Sequence, residues 1–237
     1  MKKTFIRSLN LSVLSFLLFF AAACGNSTES TSGTSSEERK DAGYRRYQIE
    51  SGIVEYAISG SQTGTETLYF DKWGMREAKY TNTEISAMGI TQKTNQMTLM
   101  DGDWIYNVDL DKRTGTKMKN PLFEMIADKS GTKDFGEMGL QMLKEMGGEK
   151  TGSEEIAGKL CDVWESKDLG SKSWIWNSLT LKTEVNMAGI AITILATKVD
   201  EGASIPEDKF TLPSDVTITE APDMGEMMEK MKKGMKK

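Results

Sequence analysis

Residues 67–80 have the sequence TLYFDKWGMREAKY, in which two runs of strand-forming residues flank Asp71-Lys72-Trp73-Gly74. Aromatic and aliphatic residues favour extended strands, whereas Asp and Gly between such runs favour a tight turn. The stretch therefore predicts a β-hairpin whose turn lies at Asp71–Gly74.

Further strands are predicted on both sides of this hairpin. Upstream, the apolar alternation from Ile49 to Ile58 predicts a first strand that ends at the glycine-rich turn 60–64. Downstream, Asp101-Gly102-Asp103 and Asn177-Ser178 predict the turns of two more hairpins. Together these segments give about nine strands joined by short turns, a meander that must close on itself or be covered. The downstream candidates are residues 96–100, 104–108, 156–164, 172–176, 179–185, 190–199 and 210–218.

The middle of the chain changes to helical spacing. Residues 121–126 predict a short turn, and a longer helix follows that Gly147-Gly148 ends. Its apolar stripe fits a packed core face, and it also fits the polarizable lining of a site for an apolar ligand. Copper(I) binding by thioethers is a third interpretation, although such sites usually include His or Cys, and we expect no metal. The stripe consists of Phe135, Met138, Met142, Leu143 and Met146.

Trp174 and Trp176 lie two residues apart in a predicted strand and therefore share one face of the sheet. Two indoles side by side suit a packed core, and they equally suit the aromatic wall of an apolar cavity. We keep both interpretations and take Met138, Met142, Leu143, Met146, Trp174 and Trp176 as candidate ligand-lining residues.

The composition excludes several functional classes. The chain contains no histidine, which removes the commonest general base, the Ser-His-Asp triad and most zinc sites. No spaced pair of carboxylates argues for acid–base catalysis, so we expect neither an enzyme nor a cofactor. Asp101, Asp103, Asp109 and Asp111 lack the loop of a calcium site and are better explained as turn residues. The net charge of −5 makes nucleic acid an unsuitable partner.

The amino terminus has the layout of a secretory signal. Lys2, Lys3 and Arg7 precede an apolar run that ends in three alanines at residues 21–23, directly before Cys24. Small residues before a cysteine resemble the lipobox of bacterial lipoproteins, in which the cysteine becomes the diacylated first residue. An ordinary cleaved signal beside a chance cysteine is the alternative. Loss of the three basic residues would change the net charge from −5 to −8.

The predicted organisation has four parts. Residues 1–23 form a lipoprotein signal peptide, and residues 24–43 form a lipidated tether without large apolar residues. Residues 44–221 form a β domain, in which Cys161 is expected to pack as a small hydrophobe. Residues 222–237 form a Met- and Lys-rich tail that either docks on a membrane or partner or is disordered.

Several pieces of the domain occur in an order that resembles the outer-membrane lipoprotein-sorting (LolA/LolB-like) superfamily. They are the 68–77 hairpin, the 104–106 strand, the helical insert, Gly158–Trp164, Trp174–Trp176, residues 189–197 and Phe210-x-Leu212-Pro213. The resemblance implies one strongly curved antiparallel sheet, an incomplete β-barrel, with helices covering an apolar concave face that holds acyl chains. Arg76 lies nearest in position to the carrier's membrane-transfer arginine, and that role is not carried over.

These observations lead to two functional hypotheses. In the first, the protein is a membrane-anchored, non-catalytic lipoprotein that binds a lipid, an acyl chain or a lipoprotein in a curved-sheet cavity. In the second, it is a structural or assembly lipoprotein that binds another cell-envelope protein. Both place it in the cell envelope, anchored through lipid on Cys24. Since Gly25 rather than Asp follows that cysteine, we expect the outer membrane, facing the periplasm.

Overall fold

A computed structural model describes residues 43–87, 90–120, 133–187 and 189–221. The predicted signal peptide, Cys24, the tether up to residue 42, the 121–126 turn and the tail lie outside the described residues. Within the described ranges, no helix is long and apolar enough to cross a membrane.

The described residues form one sheet of twelve strands and one α-helix, α1 (Phe135–Glu145). The protein is therefore mainly β with a helical insert, as the sequence predicts. The strands are β1 (Gly52–Gly60), β2 (Thr63–Asp71), β3 (Arg76–Ala87), β4 (Ile90–Asp101), β5 (Trp104–Asp109), β6 (Thr114–Lys119), β7 (Gly148–Ile156), β8 (Lys159–Ser166), β9 (Ser171–Trp176), β10 (Leu179–Met187), β11 (Ile190–Glu201) and β12 (Thr217–Glu220).

The order of strands in the sheet is β12-β6-β5-β4-β3-β2-β1-β11-β10-β9-β8-β7. The chain enters at the centre with β1 and proceeds outward to β6. The connection that carries α1 then leads to the opposite edge, and β7 to β11 return toward β1. Neighbouring strands are antiparallel, except that β12 runs parallel to β6. This winding joins two halves of the sheet through the pairing of β1 with β11.

The turns that the sequence predicts are confirmed. A 3-10 turn at Lys72–Gly74 joins β2 to β3, and β4 turns into β5 directly after Asp101. Asn177 and Ser178 connect β9 to β10 with φ of 49° and 63°. Two successive positive φ angles are typical of the type I′ turn, whose twist matches that of a hairpin.

Two strands were missed, and the last predicted segment is wrong in part. β6 has the sequence TGTKMK and β7 has the sequence GEKTGSEEI, so neither shows an apolar alternation. β7 extends through Ile156, so the predicted strand 156–164 is interrupted by a turn at Ala157-Gly158. Residues 210–218 are not one extended piece: a 3-10 turn (Glu207–Phe210) precedes β12.

The strong curvature that the family resemblance implies is not found. The described sheet is neither closed nor strongly curled, and β12 and β7 remain separate edges. Bulges are what bend strands into barrels, and the described strands contain three register shifts, whose extra residues are Thr197 of β11, Thr151 of β7 and Leu181 of β10. β3 and β4 pair without interruption over their full lengths.

Apolar residues cover both faces of the sheet. Leu68 and Phe70 of β2 belong to a central cluster with Tyr47 and Ile49, which lie on the sheet from the segment before β1. Tyr69 faces the other way and packs in a second cluster that the segment 205–216 covers. Cys161 is fully buried in the central cluster, so its expected role as a small hydrophobe is confirmed.

The turn between β2 and β3 has an unusual left-handed conformation. Lys72, Trp73 and Gly74 have φ of 51°, 55° and 78°. The segment before β1 holds this turn, because the Trp73 carbonyl accepts hydrogen bonds from the backbone N–H groups of Arg46 and Tyr47. A Cβ atom on Gly74 would lie 2.4 Å from the Tyr47 ring. Glycine is therefore required both for the backbone angle and for this close approach.

Replacing Gly74 by Ala should lower the free energy of unfolding by about 3 kcal/mol, since the methyl group would displace the buried Tyr47 ring. Gly158→Ala is the matched control. Gly158 has a similar φ of 76° with open space around a Cβ atom, so its substitution should cost only about 1 kcal/mol. Urea unfolding of the two variants measures the difference, and equal losses would contradict the close packing of Tyr47 on the turn.

Candidate functional site

Helix α1 presents the predicted methionine stripe. Asp134 caps its amino terminus by accepting a hydrogen bond from the Glu137 backbone N–H at 3.0 Å. Phe135 is the buried residue of the helix, and Met138 packs beside it against Met75. The remaining side chains of the stripe are only half-buried: Met142, Leu143 and Met146.

Trp174 occupies the position of a packed core residue. Its side chain is 2% exposed within the central cluster, and its indole N–H donates to the Glu154 carboxylate at 2.6 Å. The Lys182 ammonium lies 4.0 Å from the ring centroid. Trp176 is half-buried and packs against the same cluster. The contacts of Trp174 fit the core interpretation of this pair.

Three of the six candidate lining residues pack in hydrophobic clusters, and these three are divided between two clusters. Met138 belongs to the small cluster of α1, whereas Trp174 and Trp176 belong to the central one. Two hollows of about 510 and 310 Å³ lie at the end of the sheet where β8 meets β9, and none of the six residues lines either of them. Their shared lining residues, Glu165 and Lys167, are charged, which suits a polar ligand better than an acyl chain.

A buried polar cluster on the sheet was not anticipated from the sequence. Glu77 of β3 is 8% exposed, and one of its carboxylate oxygens accepts hydrogen bonds from Arg46 at 2.8 Å and from the Tyr47 hydroxyl at 2.6 Å. Lys79 lies on the same face of β3, with its ammonium 3.5 Å from Glu66. The register places Glu77 opposite Phe70, so a charge occupies a position of the apolar face.

The charges in this cluster stabilise one another. Burial opposes ionisation of Glu77, but the positive charges of Arg46 and Lys79 and the Tyr47 hydroxyl hold the pKa of its carboxyl below the ordinary value. Burial likewise opposes the charge on Lys79, yet Glu66 and Glu77 raise the pKa of its ammonium group. Burial also raises the pKa of Tyr47, which keeps its hydroxyl a donor. These shifts are those of a structural ion-pair network.

Arg45 and Gln48, in the segment before β1, extend the network to the amino terminus of α1. Asp134 accepts hydrogen bonds from the guanidinium of Arg45 and from the side-chain amide of Gln48, each at 2.8 Å. Burial would raise the pKa of the Asp134 carboxyl, but hydrogen bonds from the Glu137 backbone, Gln48 and Arg45 outweigh this effect and lower it. The cluster therefore fixes the segment before β1 to both the sheet and the helix.

Arg76 also has a structural position. Its guanidinium pairs with Asp71 and with Glu207, and it lies 4.1 Å from the centroid of the Phe210 ring. These contacts hold the segment 205–216 on the sheet.

The described residues offer little for a metal ion. Within these ranges, no group of three or more His, Cys, Asp or Glu side chains is arranged to hold one. Asp109 accepts hydrogen bonds from the backbone N–H groups of Asp111 and Lys112 at 3.1 and 2.8 Å. This is the turn role expected of such residues.

Glu77→Gln should lower the free energy of unfolding at pH 7 by about 3 kcal/mol, because Arg46 would keep a buried charge without its counterion. Because the pKa of Glu77 is lowered in the folded state, the pair stabilises the protein above the unfolded-state value of about 4.3. That stabilisation is lost as the pH falls through the folded-state pKa, so the difference between wild type and variant should shrink in acid.

Glu84→Gln is the control for this prediction. Glu84 pairs with Lys93 at 3.5 Å with side chains 41% and 75% exposed, so its loss should cost less than about 0.5 kcal/mol. Urea unfolding from pH 7 down to pH 3 tests both variants. A constant difference between Glu77→Gln and wild type over this range would contradict the assigned ion pair.

Comparisons with known proteins give distant structural similarity only. No family model matches the chain, and no curated protein matches it. An uncharacterized conserved protein from Thermus thermophilus is similar over 79% of this chain and 100% of its own, at 7% identity and a TM-score of 0.47. MucB in the Pseudomonas aeruginosa MucA/MucB complex is similar over 78% of this chain and 62% of its own, at 14% identity and a TM-score of 0.46. LprF from Mycobacterium bovis is similar over 72% of this chain and 91% of its own, at 11% identity and a TM-score of 0.29. This chain thus spans less than two thirds of the MucB chain, and at such scores none of these similarities carries a functional argument.

Proposed function

We propose that this protein is a membrane-anchored, non-catalytic lipoprotein of the cell envelope that binds an apolar ligand beside α1. The lipid on Cys24 would hold it at the membrane, in the outer membrane facing the periplasm where the host has one. The ligand would be a lipid, an acyl chain or the lipid of another lipoprotein. The resemblance of the sequence pieces to the lipoprotein-sorting superfamily supports this class of ligand.

The half-buried stripe of α1 is the observation that carries the ligand proposal. In the sheet, residues such as Val54, Phe70 and Leu181 are completely buried. In α1, by contrast, Met142, Leu143 and Met146 keep part of their surface accessible. A polarizable, flexible surface of this kind adapts to apolar ligands of different shapes.

The alternative is a structural or assembly lipoprotein that binds another envelope protein. The packing of Trp174 supports it, since a fully buried indole offers no wall to a cavity. The same stripe would then contact a protein side chain instead of an acyl chain.

The anchor predicts a simple fractionation result. Wild-type protein expressed with its first 23 residues should sediment with membranes and incorporate radiolabelled palmitate, because two or more acyl chains hold a protein firmly. Cys24→Ser should incorporate no palmitate and should leave the membrane fraction under washing with salt. Palmitate incorporation by the variant would exclude Cys24 as the lipidated residue.

Met142→Lys should weaken uptake of a fluorescent fatty acid by at least about tenfold, because an ammonium group would be desolvated against the acyl chain. The protein for this test carries Cys24→Ser and begins at residue 24. Gln141→Lys, on the exposed side of the same helix, adds the same charge and should leave uptake unchanged. Native mass spectrometry of the protein purified without detergent should also reveal a bound lipid.

A bare mass together with no fatty-acid uptake would contradict the ligand proposal. Removal of residues 222–237 then tests the alternative, under which a specific co-purifying envelope protein should be lost. An unchanged set of co-purifying proteins would reject the version in which the tail binds that partner.

A further inference from the structure

Trp73 projects from the turn between β2 and β3 with 43% of its surface exposed. A bulky residue with a φ of 55° is a conformational outlier, and such strain is retained where the surrounding structure enforces it. Here the backbone is fixed on both sides: the Trp73 N–H donates to the Glu50 carbonyl at 2.9 Å, and its carbonyl accepts from Arg46 and Tyr47 at 2.8 and 3.0 Å. The turn is rigid while its indole is presented to solvent.

The residues that fix this turn continue directly from the tether. Arg46, Tyr47 and Glu50 follow Gly43, the last residue of the segment 24–43 that joins the domain to Cys24. The twenty residues 24–43 cannot span more than about 70 Å even when fully extended. Under the proposed lipidation of Cys24, the chain would enter the domain within this distance of the bilayer, at the end of the sheet where the turn Lys72–Gly74 lies.

Other indoles and lysines lie at this same end. The antiparallel order places the β2–β3, β4–β5, β7–β8 and β9–β10 connections along this end of the sheet, with the β7–β8 connection at its outer edge. Trp104 begins β5, and the ammonium groups of Lys117 and Lys119 each lie 4.1 Å from its ring centroid. Leu160, after the β7–β8 turn, is 71% exposed. We call this surface the tether end; its members are Lys72, Trp73, Trp104, Lys117, Lys119 and Leu160.

Indoles flanked by lysines are characteristic of surfaces that lie at a membrane interface. The indole ring is amphipathic and prefers the headgroup region, while the lysine stem covers apolar surface and its ammonium meets lipid phosphates. Lipid on Cys24 would already attach the chain to the bilayer, so a contact of the tether end with the same bilayer is effectively intramolecular. Even a weak intrinsic affinity is then sufficient for this contact to form.

We propose that the tether end, with Trp73 at its tip, rests on the surface of the phospholipid bilayer that holds the chain. This inference rests on the proposed membrane anchor. It assigns an orientation to the domain, with the β2–β3 turn toward the lipid headgroups and the opposite end of the sheet, which carries the β10–β11 connection, away from them.

Vesicle partitioning of the unlipidated chain tests the contact separately from the anchor. The protein begins at residue 24 and carries Cys24→Ser, and the vesicles contain phosphatidylethanolamine and phosphatidylglycerol. Trp73→Ala should lower the partition coefficient by at least about tenfold, the factor expected when roughly 100 Å² of indole surface no longer enters the interface. Trp73→Phe, which keeps an aromatic ring on the turn, should retain most of the binding.

Met187→Ala provides the matched control. Met187 is 56% exposed and lies at the opposite end of the sheet, so its substitution should leave partitioning unchanged. Circular dichroism and urea unfolding verify that each variant remains folded. Equal partitioning of wild type and folded Trp73→Ala would overturn the proposal. Loss of a co-purifying protein with unchanged partitioning would also overturn it and would assign Trp73 to a protein partner.

Failure of the anchor gives a different result. If wild-type protein incorporates no palmitate while Trp73→Ala still weakens vesicle binding, the proposed lipid anchor is wrong and the lipid contact of the tether end stands.

Discussion

The buried contact between Arg46 and Glu77 is the interaction on which the arrangement of the domain depends. Taking two charges out of water is expensive, and only a close ion pair with further hydrogen bonds repays it. Here the Tyr47 hydroxyl supplies the additional bond to the same carboxylate. The pair therefore secures the segment before β1 in one position, from which Tyr47 covers the central cluster and Arg45 reaches the cap of α1.

A sheet of twelve strands must bury apolar side chains on two faces, and this chain does so with irregular segments. The segment before β1 covers the central cluster, and the segment 205–216 covers the second cluster with Phe210 under Arg76. Because these covers are short and specific, the sheet does not need to close into a barrel to protect its core. The helix contributes less to covering the sheet, since Phe135 is its buried side chain and the methionines after it remain partly accessible.

The sequence predicts those parts of the fold that depend on neighbouring residues. Gly74, Gly102 and Asn177 identify their turns because a positive φ angle favours glycine and asparagine. β7 escaped prediction because seven of its nine residues are exposed, and an exposed edge strand needs no apolar alternation. How strongly the sheet curves could not be predicted from the sequence. The register shifts at Glu55/Tyr56 and Thr180/Lys182 depend on the partner strands and not on residue type.

For the candidate site, the sequence identified residue types but not their surroundings. The spacing placed Met138, Met142 and Met146 on one side of a helix, yet their degree of burial depends on how the helix sits on the sheet. Glu77 and Lys79 alternate with Ala78 in β3, and their positions opposite Phe70 and Leu68 become visible only once the register is known. The pairing of β2 with β3 is therefore the information that would have been needed to predict the buried cluster.

The central position of β1 has a consequence for biogenesis. β1 pairs locally with β2 and also with β11, so that Gly52 lies beside Glu201. A chain delivered from its amino terminus across a membrane would assemble β1 to β6 first. This half-sheet would expose the β11-facing edge of β1 until the last third of the chain arrived. During that interval an unpaired strand edge invites aggregation, so slow translocation would be most hazardous between the emergence of β6 and that of β11.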